Sequence, residues 1–197
     1  MQGGSLVKQP FSKRMLIKEI PQIEQIQNAE WKEMVIKAWE LAYNDSNFED
    51  LSAVLFSPYY AAPTLVGHTR AVTENSIRIA ENMEAEYHYG IDMDVVICVG
   101  VLHDISKLRE HDPDGNGGVK KSPVGESYQH AFFSAHYALE AGLPDKIVAA
   151  IFAHTGNTKQ LPTSLEGIIV TYGDMADADM HRFTHGRPLQ VAKIHKG

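Results

Sequence analysis

Val95-Val96-Ile97-Cys98-Val99-Gly100-Val101-Leu102, running on into His103-Asp104-Ile105, is the stretch on which the fold turns. It is apolar on every side, so it reads equally as a buried strand or a central helix, and periodicity alone does not separate the two. Its surroundings do. Upstream, Thr64 to about Glu86 reads as a long helix with Val72, Ile79, Ala80 and Met83 along one side, and Gly90 as its C-terminal cap. Asp92 or Asp94 then opens the apolar segment. Downstream, helical patterns recur near Tyr128 to Ala141 and Pro144 to His154, broken by Gly142-Leu143-Pro144. Thr163 or Ser164 caps a last helix reaching about His181. With helices on both sides and no matching strands, the apolar segment is expected to be the central helix of an all-α fold.

Further out the signals weaken. Residues 1 to about 20 are mixed and basic, with Gly3, Gly4 and Pro10, and are expected to be a poorly ordered start. Trp31, Met34, Val35, Ala38, Trp39 and Ala42 follow the spacing of an amphipathic helix over Glu30 to Tyr43. His111 to Ser122 (HDPDGNGGVKKS) reads as a polar, glycine-rich loop, and His185 to Gly197 carries no pattern. The division expected is an N-terminal extension over 1–63, helical and packed on the core, a helical core over 64–182, and a tail over 183–197. A homodimer contact through the extension would fit equally well.

Composition narrows the function classes. The net charge of −7, spread along the chain, argues against extended nucleic-acid binding, which relies on covering many phosphates. It leaves room for a small phosphorylated substrate, because a few local cations or metal ions reverse the sign inside a pocket. A single cysteine, Cys98, allows no internal disulfide and reads as a small core residue. No apolar run approaches the ~20 residues of a membrane span, and Met1 to Lys8 lacks the apolar core of a signal peptide. A cytoplasmic protein with no membrane partner is expected.

Ten histidines are many for 197 residues, and histidine is the commonest metal ligand. His103-Asp104 ends the apolar segment, where an ionisable pair is costly unless something compensates it. Taken alone, the pair reads best as hydrogen-bonded at a helix end. His68 and His130 at helix starts, His154 at a helix end and Asp174 within the last helix change that weighting. Each adjoins an apolar face, and ligands drawn from several helices are how bundle proteins build dinuclear sites.

At these residues the chain resembles a known family. His68, His103-Asp104 and Asp174 stand in the order of the H…HD…D signature of the HD-domain metal-dependent phosphohydrolases. His130 and His154 are similar to the extra histidines in the H…HD…H…H…D pattern of its dinuclear members. Leu143-Pro144 after His130, and the string Asp174-Met175-Ala176-Asp177-Ala178, resemble that branch too, over roughly residues 64 to 182. The chain departs from the family pattern at Ser106, often glycine there, and at Thr155, often a second histidine. Thr155-Gly156-Asn157-Thr158 also lacks the GYP-type extension of the cyclic-di-GMP phosphodiesterases, so that substrate is not expected.

The resemblance implies a single compact HD-domain bundle holding two divalent ions (iron, manganese, zinc or nickel, among which the ligand types do not choose). His68, His103, Asp104 and Asp174 would hold one ion; Asp104 would bridge to a second, completed by His130 and His154. Two such ions against two carboxylates leave about two positive charges for a phosphate. The function implied is hydrolysis of a phosphate mono- or diester, with Asp104 at its centre and Lys107 as the candidate for holding a phosphoryl oxygen. Arg70 and Arg109 are weaker candidates that read better as solvated. Two alternatives keep the same ligands: a dinuclear-iron oxygenase, and a non-catalytic regulatory module with structural metal.

Asp112-Pro113-Asp114-Gly115-Asn116-Gly117 looks like the first half of a calcium loop, but its twelfth position is Pro123, which offers no carboxylate. His136 lies six residues after His130, on another helical face, and no role falls to it or to His88, His111, His181, His185 or His195.

Overall fold

The computed structural model describes residues 8–59 and 61–194. The apolar segment is a helix. α4 (Met93–Leu102) is capped by Asp92, whose carboxylate accepts from the Val95 amide, and its residues from Val95 to Leu102 are all buried. A ten-residue helix surrounded on every side has no solvent face to mark, which is why its sequence shows no stripe. α3 (Leu65–Tyr87) and α9 (Leu165–Thr184) pack against α4 and against each other. Two short helices follow α4, α5 (Lys107–Glu110) and α6 (Pro123–Ser127). α7 (His130–Ala141) and α8 (Asp145–Ala153) form a pair on another side, with α2 (Ala29–Asn44) laid across α7 and α4. The fold is all-α, and no helix among the described residues is long and apolar enough to cross a membrane.

The start of the chain is more ordered than its composition predicts, although residues 1–7 lie outside the described region. Ser12 caps α1 (Lys13–Glu19), which buries Leu16, and Ile20 beyond its end is also fully buried. A basic, mixed segment hid an apolar pair at i, i+4, which is enough to seat one helical turn on the 3-10 turn Pro21–Gln25 and on α3. Asp94, the other candidate cap of α4, instead accepts from the amides of Gln27 and Asn28, both at 2.8 Å, and so pins the entry to α2. Trp39 on α2 is fully buried and donates its Nε1–H to the Val101 carbonyl at 3.2 Å.

Three further expectations are corrected. The left-handed residue that ends α3 is His88 (φ 55°), not Gly90, whose amide is held by the Glu84 carboxylate at 2.9 Å. The 111–122 segment is a hairpin in which β1 (His111–Pro113) pairs antiparallel with β2 (Val119–Lys121). Its turn is built by Asp114, whose Oδ1 accepts from the amides of Asn116 and Gly118 at 2.7 and 2.9 Å, with positive φ at Gly115 and Gly117. Asp112 meanwhile accepts from the Asn47 side chain at 2.8 Å, so the calcium-like string is turn chemistry. The tail also has structure: the Asp179 carboxylate accepts from the amides of Gln190 (2.5 Å) and Val191 (3.0 Å), folding residues 185–191 back onto α9 ahead of the short α10 (Val191–Ile194).

Candidate metal centre

The six expected ligands come from five places in the chain and meet at one end of the bundle. His68 lies in the first turn of α3 and Asp174 in the middle of α9. His103 and Asp104 follow the last turn of α4, His130 opens α7, and His154 follows α8. His68, His103 and Asp174 offer ligand atoms all within 4.8 Å of one another, and so do Asp104, His130 and His154. Asp104 joins the two groups through different oxygens. Its Oδ2 is 3.6 Å from His68 Nε2 and 3.9 Å from His103 Nε2; its Oδ1 is 3.7 Å from His130 Nε2 and 3.8 Å from His154 Nε2.

Hydrogen bonds at the far side of three of the four rings fix what the near side offers. A carbonyl can only accept, so His103 donates Nδ1–H to Gly100 O (2.7 Å) and His154 donates Nδ1–H to Ile151 O (2.6 Å). His68 Nδ1 faces Asp177 Oδ2 at 2.6 Å in the same way. In the neutral imidazoles each Nε2 is then a bare lone pair. His68 Nε2 and His103 Nε2 face each other at 3.2 Å, with Asp174 Oδ1 3.3 Å from the former. Asp104 Oδ1 and His154 Nε2 are buried with no hydrogen-bond partner. Acceptors outnumber donors here, which is expensive unless positive charge, a proton on His68 or a metal ion, sits among them. Histidine nitrogen with carboxylate oxygen is a donor set suited to first-row divalent ions, so the residues present fit a metal.

Electrostatics agree. Burial disfavours a charged His68, but hydrogen bonds to Asp174 and Asp177 and the charges of Asp174 and Asp104 outweigh it and raise its pKa to about 9. The potential that holds a proton there acts twice as strongly on a divalent ion. Burial brings His103 down to about 4 and His130 to about 3, Lys107 adding to the effect at His130, so both stay neutral and able to ligate. Burial works against ionised Asp104, yet Lys107 and the surrounding histidines hold its pKa well below the usual carboxylate range.

The centre opens into a cavity of about 410 Å³ that reaches Lys107, Glu110, His111, Lys121, Arg182 and Arg187. Lys107 Nζ is 2.8 Å from Glu110 Oε2, with both side chains only 12–13% exposed. Arg70 and Arg109 do not line it: Arg70 donates to the Glu19 carbonyl (2.7 Å) and Arg109 to that of Asp45 (3.2 Å). His136 pairs with Glu140 on the surface and Cys98 is buried in α4, as expected.

Four contributors escaped the sequence reading. Asp177 orients His68, and its i+3 spacing from Asp174 was a usable signal. Phe56 stacks on the His68 ring with centroids 3.7 Å apart, and His111, 2% exposed, lines the cavity wall. No pattern in the sequence marked either. The tail brings Arg187 to the mouth, where its guanidinium lies 3.9 Å from the Tyr59 ring centre.

Helices that carry histidines and aspartates to one end of a bundle in this order define the HD domain. The HD domain family model matches residues 65–179, more than half of the chain, and the chain belongs to that family. It is also 25% identical over 118 residues to a dihydroneopterin 2',3'-cyclic phosphate phosphodiesterase of Methanocaldococcus jannaschii, a stretch covering 59% of this chain and 47% of that relative. The chain thus aligns with about half the length of the relative. No solved structure matches the chain significantly.

Proposed function

We propose that this chain is a metal-dependent phosphohydrolase that cleaves a small phosphate mono- or diester at a dinuclear centre. The observation that carries the reading is Asp104, buried to 3% exposure, with one oxygen turned to His68 and His103 and the other to His130 and His154. A carboxylate that faces two separate groups of acceptors is suited to bridging two ions. His68, His103, Asp104 and Asp174 would hold the first, and Asp104, His130 and His154 the second. Two divalent ions held this way would supply a water of lowered pKa and would neutralise charge on the phosphoryl oxygens.

The chain's own residues have defined parts in that chemistry. Asp177 and the carbonyls of Gly100 and Ile151 fix the tautomers of His68, His103 and His154, so that each Nε2 is presented as a lone pair. Lys107 reaches the cavity beside Asp104 and would hold a phosphoryl oxygen. Burial disfavours its charge, but Asp104 and Glu110 more than restore it and keep it cationic. Phe56 packs on His68 and keeps water from that side of the ring.

The cations Lys121, Arg182 and Arg187 on the cavity wall support an anionic, phosphorylated substrate. The family membership and the phosphodiesterase relative point the same way. We read residues 64–182 as the catalytic unit, flanked by the extension and the tail, in a cytoplasmic enzyme acting on small molecules.

The test is elemental analysis of the full chain with a phosphoester screen. The expected result is two divalent ions per chain, turnover abolished by a chelator and restored by added metal, and loss of both metal and turnover in Asp104→Ala. His130→Ala should retain one ion. A metal-replete chain inactive on mono- and diesters alike, or oxygen uptake by an anaerobically prepared iron form, would overturn the reading.

A further inference from the structure

Beyond the metal centre the cavity wall carries more positive charge than one phosphate needs. Lys107 is paired with Glu110, so the two cancel. Lys121, Arg182 and Arg187 also line the cavity, and among the described residues none of the three has a carboxylate within ion-pair distance. In a chain of net charge −7, three uncompensated cations around one opening repel one another and call for an anion.

Their positions are held by the fold. Arg182 lies in the last turn of α9, and its Nε donates to the Pro188 carbonyl at 2.5 Å, which anchors the returning tail. Asp179 fixes the same tail through Gln190 and Val191. Arg187, between these anchors, lies over the exposed ring of Tyr59, a contact that restrains the guanidinium plane while leaving its N–H edge free to donate. Lys121 ends β2 and lines the same cavity. The 56–59 segment links the two levels of the cavity: Phe56 packs on the ligand His68 and Tyr59 carries Arg187.

We propose that Arg182, Arg187 and Lys121 form a second anion subsite, and that the substrate is a phosphoester carrying a further phosphate group several bonds from the one on the metals. Bisphosphates and nucleoside polyphosphates share that chemistry; a lone cyclic monophosphate lacks it. The inference rests on the hydrolase reading for its first phosphate, but its test is binding and needs no turnover.

The full chain, loaded with manganese, is titrated by calorimetry with two non-hydrolysable probes, propane-1,3-bisphosphonate and propylphosphonate. The bisphosphonate should bind at least about tenfold more tightly, and Arg182→Gln/Arg187→Gln should bring that ratio to within about twofold of unity. Because Arg182 also anchors the tail, Arg187→Gln and Lys121→Gln are measured singly. Each should lower the ratio, and Arg187→Lys should keep part of it. Equal affinity for the two probes in the unaltered chain, or a ratio that survives the double substitution, overturns the subsite. Absence of phosphoester turnover with the ratio intact would instead count against the hydrolase reading alone.

Discussion

His68 Nδ1 lies 2.6 Å from Asp177 Oδ2, across 109 positions of sequence, and this contact decides which face of the His68 ring is offered to a metal. Asp174 and Asp177 sit three apart on α9, so one helical face supplies both an oxygen of the candidate centre and the carboxylate that orients His68. Asp177→Ala should weaken metal binding by about 10- to 100-fold while leaving the helical content intact. Competition with a chromophoric chelator measures it, and an unchanged affinity would remove Asp177 from the centre.

Gly173 precedes Asp174 on the side of α9 that packs against α3. A Cβ there would lie 2.6 Å from Ser76 Oγ and 3.3 Å from the Val72 carbonyl oxygen. Gly173→Ala should cost about 1–3 kcal/mol by overpacking and shift Asp174 out of register with His68. Ser76→Ala removes the nearer atom, so the double variant should recover most of the melting temperature and of the metal affinity. No recovery in thermal unfolding would place the strain elsewhere.

Lys107 and Glu110 neutralise each other within the cavity wall, and Lys107→Met strands a mostly buried carboxylate. The loss should approach about 3 kcal/mol, the low end for a broken buried pair. Adding Glu110→Gln should restore stability but not turnover, which should stay at least about tenfold down because the proposed phosphoryl contact is still missing. Denaturant melts and steady-state rates on the same samples separate the two effects; turnover that returns with stability would make Lys107 purely structural.

His111 gives the acid limb of stability a specific contributor. Burial, with Lys107 adding to it, lowers its pKa from 6.5 to about 4. Above pH 6.5 its contribution is fully present. As pH falls, the unfolded chain takes up the proton first, and stability is lost until the folded pKa near 4 is passed. The loss is on the order of 3 kcal/mol at most. In metal-free protein, His111→Phe should lose less stability than the unaltered chain between pH 7 and 4.5. Parallel denaturant curves at the two pH values would show no difference if His111 titrates normally.

Much of the centre could be read from residue order, because ligand chemistry restricts each position to histidine or aspartate and helices fix where those residues emerge. His68, His103, Asp104, His130, His154 and Asp174 all stand beside apolar faces that must point inward, so the structure brings them together. Asp177, Phe56 and His111 were harder. Their roles depend on packing between separate elements, and an aspartate, a phenylalanine and a histidine each have many commoner uses. The hairpin and the folded tail were missed for a related reason. Each depends on a few side-chain bonds to the backbone, from Asp114 and Asp179, that leave no periodic mark.

The sequence by itself determined the helical class, the central position of α4 and which side chains are candidates to ligate a metal, because apolar patterning and donor type are local properties of the chain. Only the tertiary structure decided that the two oxygens of Asp104 face different histidine pairs, that the rings of His68, His103 and His154 are oriented from behind, and that Arg187 is carried to the mouth over Tyr59. Those are relations of direction and distance between separate elements, and they exist only once burial of the shared core has fixed how the helices pack.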